Sequence, residues 1–124
     1  MSHPKGTVAF FPSAIKDNDL IECKPGDVIF KEGDESDFLY YVAEGVFDII
    51  INGQRIDSIT PEDILLGEMS FLLEAQRTSD VIAKTEGRLL KISKQDFIDI
   101  VKNQPYYGVF LARLMAQRLY RIRH

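Results

Sequence analysis

The chain has 124 residues, of which 45% are hydrophobic and 27% are charged, and its formal net charge is −4. This length predicts one domain with its own core, while the negative charge argues against general nucleic-acid binding. No apolar run reaches the roughly 18 residues of a membrane span, and the single cysteine and the absence of a signal peptide predict a cytoplasmic protein.

The first part of the chain is predicted to be an arm followed by many short strands. Residues 1–18 show little periodicity and are assigned to the arm. From Leu20 onward, short β-rich apolar segments alternate with turn residues. The predicted strands lie near 20–24, 28–31, 37–43, 46–52, 54–59, 80–85 and 88–93. Asn52-Gly53 is a strong hairpin signal, and the regular spacing suggests a sandwich or barrel with jelly-roll-like connections.

The last part of the chain has a helical pattern. Ser93 and Asp96 fit a helix N-cap with an acid in the first turn, and this helix is expected to run to about Asn103. It is predicted to bury Phe97, Ile100 and Val101. Pro105 then opens a second helix that reaches Arg123. Strands followed by helices give a mainly β fold of the α+β class, in one domain over 19–124.

The most informative segment is Leu66-Gly67-Glu68-Met69-Ser70-Phe71, with Arg77-Thr78 nine positions after the glutamate (77 − 68). The glycine lets the backbone approach a ligand closely, and the glutamate can accept hydrogen bonds from a sugar hydroxyl. N–H groups at the start of a helical turn attract an anion. The arginine has a planar fork that fits two phosphate oxygens. The segment therefore predicts a site that holds a sugar and a phosphate together.

This segment resembles the phosphate-binding cassette of the cyclic nucleotide-binding domain family, and the resemblance runs from about Leu20 to the C-terminus. Residues 24–34 look like the family's first hairpin, and residues 37–45 look like the next strand with its closing glycine. The resemblance implies a β-roll, which is a jelly-roll-like double-stranded β-helix. It also implies a short cassette helix and C-terminal helices that move when the ligand binds.

The resemblance also implies roles for the site residues. Glu68, after Gly67, would bind the ribose 2′-hydroxyl of cAMP or cGMP, and Arg77 would bind the cyclic phosphate. Backbone N–H groups near Met69, Ser70 and Thr78 would complete the anion site. The Thr78 hydroxyl could also bond the amino group of a syn guanine, which would allow cyclic GMP; the alternative is a threonine that merely suits a strand edge.

The sequence departs from the family pattern around the cassette. The segment over 61–67 is one residue longer than usual and has Glu62 in place of a glycine. Glu74 and Asp80 add negative charge near a site for an anion. The alternative interpretation is therefore a domain that has lost its nucleotide and acts as a dimeric interaction module, with Glu68 and Arg77 forming only a structural ion pair.

Enzymatic chemistry has little support in the sequence. Ser70, His3 and Asp96 could suggest a triad, but they lie in three unrelated segments. The only histidines are His3 and His124, at the two ends, which argues against a metal-dependent barrel enzyme. We expect no enzyme activity, no metal and no cofactor other than the nucleotide ligand.

The last predicted helix carries an apolar seam formed by Gly108, Ala112, Met115, Leu119 and Ile122. Their heptad-like spacing predicts a homodimer through this helix; the alternative is a helix packed only on its own domain. The helix also carries four arginines at positions 113, 118, 121 and 123, which we interpret as a solvated face and not as direct nucleic-acid contact. No effector segment is recognised before His124, so the output is expected in an unknown downstream protein or in a larger polypeptide.

Overall fold

A computed structural model of the chain describes residues 20–123. The predicted arm over 1–18, together with His3 and His124, lies outside the described residues. The described residues divide into two compact units, 20–94 and 95–123. Within this part of the chain, no helix is both long and apolar enough to cross a membrane.

The first unit contains eight strands in two antiparallel sheets. The strands are β1 Leu20–Cys23, β2 Val28–Phe30, β3 Phe38–Glu44, β4 Phe47–Ile51, β5 Gln54–Ile59, β6 Leu65–Leu66, β7 Asp80–Ala83 and β8 Gly87–Ser93. One sheet has the order β1-β8-β3-β6 and the other the order β2-β7-β4-β5. This arrangement confirms the predicted mainly β fold of the β-roll type.

The core of this unit is assembled from both sheets, because apolar residues alternate inward along the strands. Its buried members are Cys23, Phe30, Tyr40, Val42, Phe47, Leu66, Val81, Ala83 and Leu89. Every strand except the edge strand β5 supplies at least one of them. Burying a large apolar side chain contributes about 1.5–3 kcal/mol, so this cluster contributes several kcal/mol to the stability of the unit that holds the cassette.

Four strands end earlier than the sequence pattern predicts: β2 and β4 by one residue, and β1 and β7 where hydrogen bonds redirect the chain. β1 ends at Cys23 and not at Lys24, whose N–H donates to the Asp27 carboxylate at 2.8 Å. β7 ends at Ala83 and not at residue 85. The Lys84 N–H donates to the Val46 carbonyl at 2.8 Å, and the Val46 N–H donates to Thr85 Oγ1 at 3.1 Å.

The segment between β5 and the cassette contains a short strand that the sequence pattern does not predict. Thr60 forms a capping box for a 3₁₀ turn over Pro61–Asp63. Ile64 then has φ 71° and ψ −55°, a strained backbone conformation for a β-branched residue. The chain next enters β6, where Leu65 and Leu66 pair with β3 and are 2% and 3% exposed. The strained residue Ile64 therefore lies directly ahead of β6 and the cassette.

The helices are α1 Glu68–Leu73, α2 Lys94–Asn103 and α3 Tyr106–Arg123. α2 and α3 lie close to their predicted boundaries. Ile100 is buried as predicted, but Phe97 and Val101 are only half-buried, because they flank Ile100 on the buried stripe of α2. A Cβ atom at Gly108 would lie 3.5 Å from Val101 Cγ1. The small residue at the start of the predicted seam therefore packs against α2 of its own chain.

Candidate functional site

The cassette contains a short helix of six residues, α1, which follows the buried strand β6. Gly67 precedes α1 with φ 77° and ψ 18°, and Glu74 ends the helix with φ 55°. Both residues have left-handed backbone conformations, so the chain reverses direction before and after the six residues of α1. This geometry returns the chain to Arg77, beside the turn where the cassette begins.

The Arg77 side chain is buried and points back into this turn. It is 4% exposed. Its Nη1 donates to the Gly67 carbonyl at 2.7 Å and to Ser70 Oγ at 2.8 Å, and its Nη2 donates to the Phe38 carbonyl. The backbone of Arg77 is fixed as well, since its N–H donates to the Asp34 carbonyl at 2.8 Å.

The described protein leaves one buried nitrogen of this guanidinium without a hydrogen bond. Arg77 Nε is buried and has no hydrogen-bond partner among the residues that the structure describes. An arginine carries five N–H donors, and leaving a buried donor unpaired is energetically costly. The arrangement is therefore suited to an anionic oxygen acceptor that would satisfy Nε.

Arg77 stays positively charged although its burial opposes the charge. The guanidinium carbon lies 4.1 Å from the centroid of the Phe30 ring, a cation–π contact. Burial lowers the pKa of Arg77, while Tyr40 and nearby carboxylates oppose this change. Because an arginine normally titrates far above physiological pH, Arg77 remains a cation there despite its lowered pKa.

Gly67 is required at this site both by its backbone conformation and by space. A Cβ atom on Gly67 would lie 2.6 Å from Arg77 Nη1 and 3.2 Å from Phe30 Cε2. Those distances are shorter than normal van der Waals contact, so a larger residue would displace the arginine. Glycine at position 67 is therefore needed for the Arg77 side chain to adopt this orientation.

The other predicted site residues differ in their placement. Glu68 is 7% exposed at the first position of α1, and its charge acts on Arg77. Ser70 contacts Arg77 through its hydroxyl. Met69 is 60% exposed, and Thr78 is exposed beside Arg77 in the chain. The structure therefore brings Gly67, Ser70 and Arg77 into contact and leaves Met69 and Thr78 at the surface.

Three further residues shape the site and were not predicted from the sequence. Phe30 stacks on Arg77, the Phe38 carbonyl accepts its Nη2, and Ser36 is a buried serine that is 5% exposed. Ser36 Oγ donates to the carbonyl groups of Ser70, at 2.9 Å, and Ala75. Phe38 acts through its backbone carbonyl, Ser36 is a serine in a polar loop, and Phe30 lies on a strand distant in sequence, so no residue pattern marks them.

The two acidic residues that the sequence places near the site are engaged elsewhere. The Glu74 carboxylate lies 3.8 Å from Lys94 Nζ. The Asp80 carboxylate accepts the Glu32 backbone N–H at 2.8 Å. Each acid therefore has a local partner that compensates part of its charge.

Other kinds of site have no support in the described residues. Within residues 20–123, no group of three or more His, Cys, Asp or Glu side chains could hold a metal ion. A separate cavity of about 290 Å³ lies beside β1, β2 and β3. It is lined by Ile21, Cys23, Asp27, Val28, Ile29, Tyr40 and Lys91, none of which belongs to the predicted site.

Comparison with known sequences points to one family. The family model described as "Cyclic nucleotide-binding domain" matches residues 20–104, most of the chain. The cyclic AMP receptor protein of Thermus thermophilus is 34% identical over 98 residues, which cover 76% of this chain and 45% of that protein. A cAMP-dependent protein kinase type II regulatory subunit of Drosophila melanogaster is 34% identical over 74 residues, which cover 60% of this chain and 19% of that protein.

Solved structures agree with the sequence comparison. The catabolite activator protein of Thermus thermophilus superposes with a TM-score of 0.77 at 28% identity, covering 94% of this chain and 55% of that chain. A structure from work on a cyclic-GMP-dependent signalling pathway in bacterial phytopathogenesis has a TM-score of 0.74 at 20% identity and shares the fold. This chain spans less than half of each of the two curated relatives above.

Proposed function

This chain belongs to the cyclic nucleotide-binding domain family, and from this premise we propose that it is a regulatory domain that binds cAMP or cGMP at its cassette. The observation that supports binding most directly is the buried Arg77, whose Nε lacks a partner in the described protein. A cyclic phosphate carries one negative charge and compact oxygens that can accept such a donor through a charge-assisted hydrogen bond.

The neighbouring residues would complete recognition of the nucleotide. Glu68 follows Gly67 directly and is buried, so its carboxylate can accept the ribose 2′-hydroxyl near the phosphate. The names of the two relatives refer to cyclic AMP, which supports a cyclic nucleotide as the ligand class here. Those relatives are receptor or regulatory proteins, which supports a sensor and not an enzyme.

We assign tolerance of cyclic GMP to Thr78. Its side chain is exposed and directly follows Arg77 in the chain. A hydroxyl at this place can accept a hydrogen bond from the amino group of a guanine base in the syn conformation. An adenine base has no amino group at that position. Removing the hydroxyl is therefore expected to lower affinity for cyclic GMP more than affinity for cyclic AMP.

The signal is proposed to leave the domain through its C-terminal helices. Nucleotide binding would shift the equilibrium between arrangements of α2 and α3 by its differential affinity for them. α3 would also pair with its counterpart in a homodimer. The downstream partner is not identified by its chemistry, since the exposed residues of α3 include both apolar and basic side chains.

Titration calorimetry tests the proposal. The wild type would be titrated with cyclic AMP, cyclic GMP and, as a non-cyclic control, 5′-AMP. Arg77→Ala is expected to weaken binding of the cyclic nucleotides at least about 100-fold, which is about 2.8 kcal/mol. Arg77→Lys keeps the charge but not the planar fork. Its affinity for the cyclic nucleotides should fall between that of the wild type and that of Arg77→Ala.

Arg55→Ala is the matched control, because Arg55 is an exposed arginine on β5 that bonds only Ser58 among the contacts described. It should bind like the wild type. Circular dichroism and thermal unfolding would establish that each variant is folded. A folded wild type that binds neither cyclic nucleotide at millimolar concentration would support the alternative of an interaction module without a ligand.

A further inference from the structure

The loop between β2 and β3, residues 31–37, holds the cassette through several contacts. Its backbone pairs with Arg77 on both sides: the Gly33 N–H donates to the Arg77 carbonyl and the Arg77 N–H donates to the Asp34 carbonyl, each at 2.8 Å. The Glu32 N–H donates to Asp80, two residues beyond Thr78. This β2–β3 loop therefore determines where the segment after α1 lies.

Ser36 is the member of the β2–β3 loop that contacts α1 itself. Its hydroxyl is buried and lies within hydrogen-bond distance of the carbonyls of Ser70 and Ala75. A serine hydroxyl has one hydrogen, so the two carbonyls share it. The Ser70 carbonyl also accepts the Ala75 N–H at 2.9 Å, so Ser36 adds a donor from the β2–β3 loop to the turn that closes α1.

This contact leads directly to the arginine of the site. The Ser70 carbonyl accepts a hydrogen bond from the Ser36 hydroxyl, and the Ser70 hydroxyl accepts one from Arg77 Nη1 at 2.8 Å. Shifting Ser70 would thus move an acceptor of the guanidinium, although the Ser36 hydroxyl itself bonds the Ser70 and Ala75 carbonyls and not Arg77. Binding sites lose function when residues that support the binding groups allow them to move.

We propose that Ser36 is a positioning residue for phosphate binding: it fixes α1 against the β2–β3 loop and thereby holds Arg77 in its binding orientation. The proposal rests on the cyclic nucleotide-binding function stated above. It assigns a role to a serine that contacts neither the ribose-binding glutamate nor the phosphate-binding guanidinium in the contacts described.

The test compares Ser36→Ala with Thr85→Ala. Thr85 is a matched control because its hydroxyl also connects two backbone groups, accepting the Val46 N–H and donating to the Glu86 carbonyl. It lies in the turn between β7 and β8, away from the cassette in the chain. Both variants therefore lose one hydroxyl that connects neighbouring segments, and only one of them loses a contact to α1.

Two measurements are made on each protein. The first is affinity for cyclic AMP and cyclic GMP by calorimetry, where Ser36→Ala is expected to bind about tenfold more weakly than the wild type, which is about 1.4 kcal/mol. The second needs no nucleotide: nuclear magnetic resonance records the Arg77 Nε–H signal and hydrogen exchange of the Ala75 amide. Ser36→Ala should shift the Nε–H signal and exchange the Ala75 amide about tenfold faster, while Thr85→Ala should do neither.

The outcomes separate the two proposals. If the wild type binds no cyclic nucleotide, the proposed function fails, and the role of Ser36 is decided by the nuclear magnetic resonance measurement alone. If Ser36→Ala matches Thr85→Ala in both measurements, the positioning role is wrong. Should Ser36→Ala not fold, Ser36→Cys replaces it, because a thiol of similar size is a weaker donor and is expected to give changes of the same sign and smaller size.

Discussion

Arg77 shows how a charged residue can be stable inside a small β-roll. Transferring a charge from water to a protein interior is costly unless hydrogen bonds replace the lost hydration. Two backbone carbonyls and the Ser70 hydroxyl provide that replacement, and the Phe30 ring adds a cation–π contact. The orientation of the guanidinium is therefore set by the fold, and its geometry depends on the small residue at position 67.

Gly67→Ala is predicted to displace Arg77 and to weaken nucleotide binding more than about tenfold. The left-handed conformation costs a residue with a Cβ about 1–2 kcal/mol, and the added atom would lie 2.6 Å from Arg77 Nη1. Gly53→Ala is the matched control, because Gly53 has φ 79° against 77° for Gly67 and nothing within 4 Å of its Cβ position. Both variants carry the backbone strain, which urea unfolding measures, but only Gly67→Ala adds a collision with Arg77. Calorimetry should therefore show a loss of nucleotide affinity in Gly67→Ala alone. Equal affinities for the two variants would contradict the steric argument.

Glu68→Gln is predicted to weaken recognition of the ribose while leaving attraction of the anion intact. The 2′-hydroxyl donates a hydrogen bond to a charged carboxylate more strongly than to a neutral amide. A 2′-deoxy analogue of the nucleotide should therefore lose less affinity with Glu68→Gln than with the wild type. The four affinities form a double-mutant cycle, and a coupling energy of zero would exclude contact between Glu68 and the ribose.

At the scale of elements, the β2–β3 loop and the start of β7 are joined by Asp80. Its carboxylate accepts the Glu32 N–H at 2.8 Å. Asp80→Asn keeps an oxygen acceptor and is predicted to change the free energy of unfolding by less than about 0.5 kcal/mol, whereas Asp80→Ala should lose about 1 kcal/mol. Urea unfolding measures both values. Equal losses in the two variants would show that the charge, and not the hydrogen bond, stabilises this junction.

Asp80→Asn also tests the effect of charge on the site. Removing one negative charge three positions from Arg77 should raise affinity for a cyclic nucleotide, through weaker like-charge repulsion. Glu74→Gln is the comparison, since Glu74 is exposed and already paired with Lys94. It should leave affinity unchanged.

Most elements could be predicted from the sequence, because their signals are local. Alternating apolar residues and turn residues mark seven of the eight strands, and Ser93 and Pro105 mark the starts of α2 and α3 within one residue. β6 could not be predicted, because two leucines do not form a period and Ile64 adopts a backbone conformation that its residue type disfavours. Its pairing with β3 comes from contacts distant in sequence.

The candidate site could be predicted only in part, for a related reason. Gly67, Ser70 and Arg77 are close in sequence, and the structure brings them into contact. Ser36 and Phe30 reach the same place from more than thirty residues away in the chain. Their contributions depend on the pairing of the β2–β3 loop with the cassette, which no local pattern encodes.

At the scale of the whole molecule, the predicted homodimer depends on the outer surface of α3. Leu111 and Leu114 are 8% and 7% exposed, so they are not available at the surface of α3. Leu119 is 55% exposed, Ala112 is exposed and Met115 is half-buried. These residues follow the heptad-like seam predicted from the sequence, and a two-fold axis beside them would let each meet the same patch of the partner.

Replacing Met115 and Leu119 together with glutamate is predicted to give a folded monomer. The substitutions would place like charges against each other across the two-fold axis, where desolvation makes their repulsion costly. Val109→Glu with Tyr120→Glu is the matched control, since both residues are large, apolar and exposed, at 49% and 64%. Both lie about a third of a turn around α3 from Met115 and Leu119, so this variant should remain a dimer. Multi-angle light scattering with circular dichroism measures mass and folding for each.

Two outcomes would contradict this prediction. A wild type that is monomeric at high micromolar concentration would end the dimer hypothesis. If the control variant dissociates and the Met115 and Leu119 variant does not, the interface lies on the other face of α3.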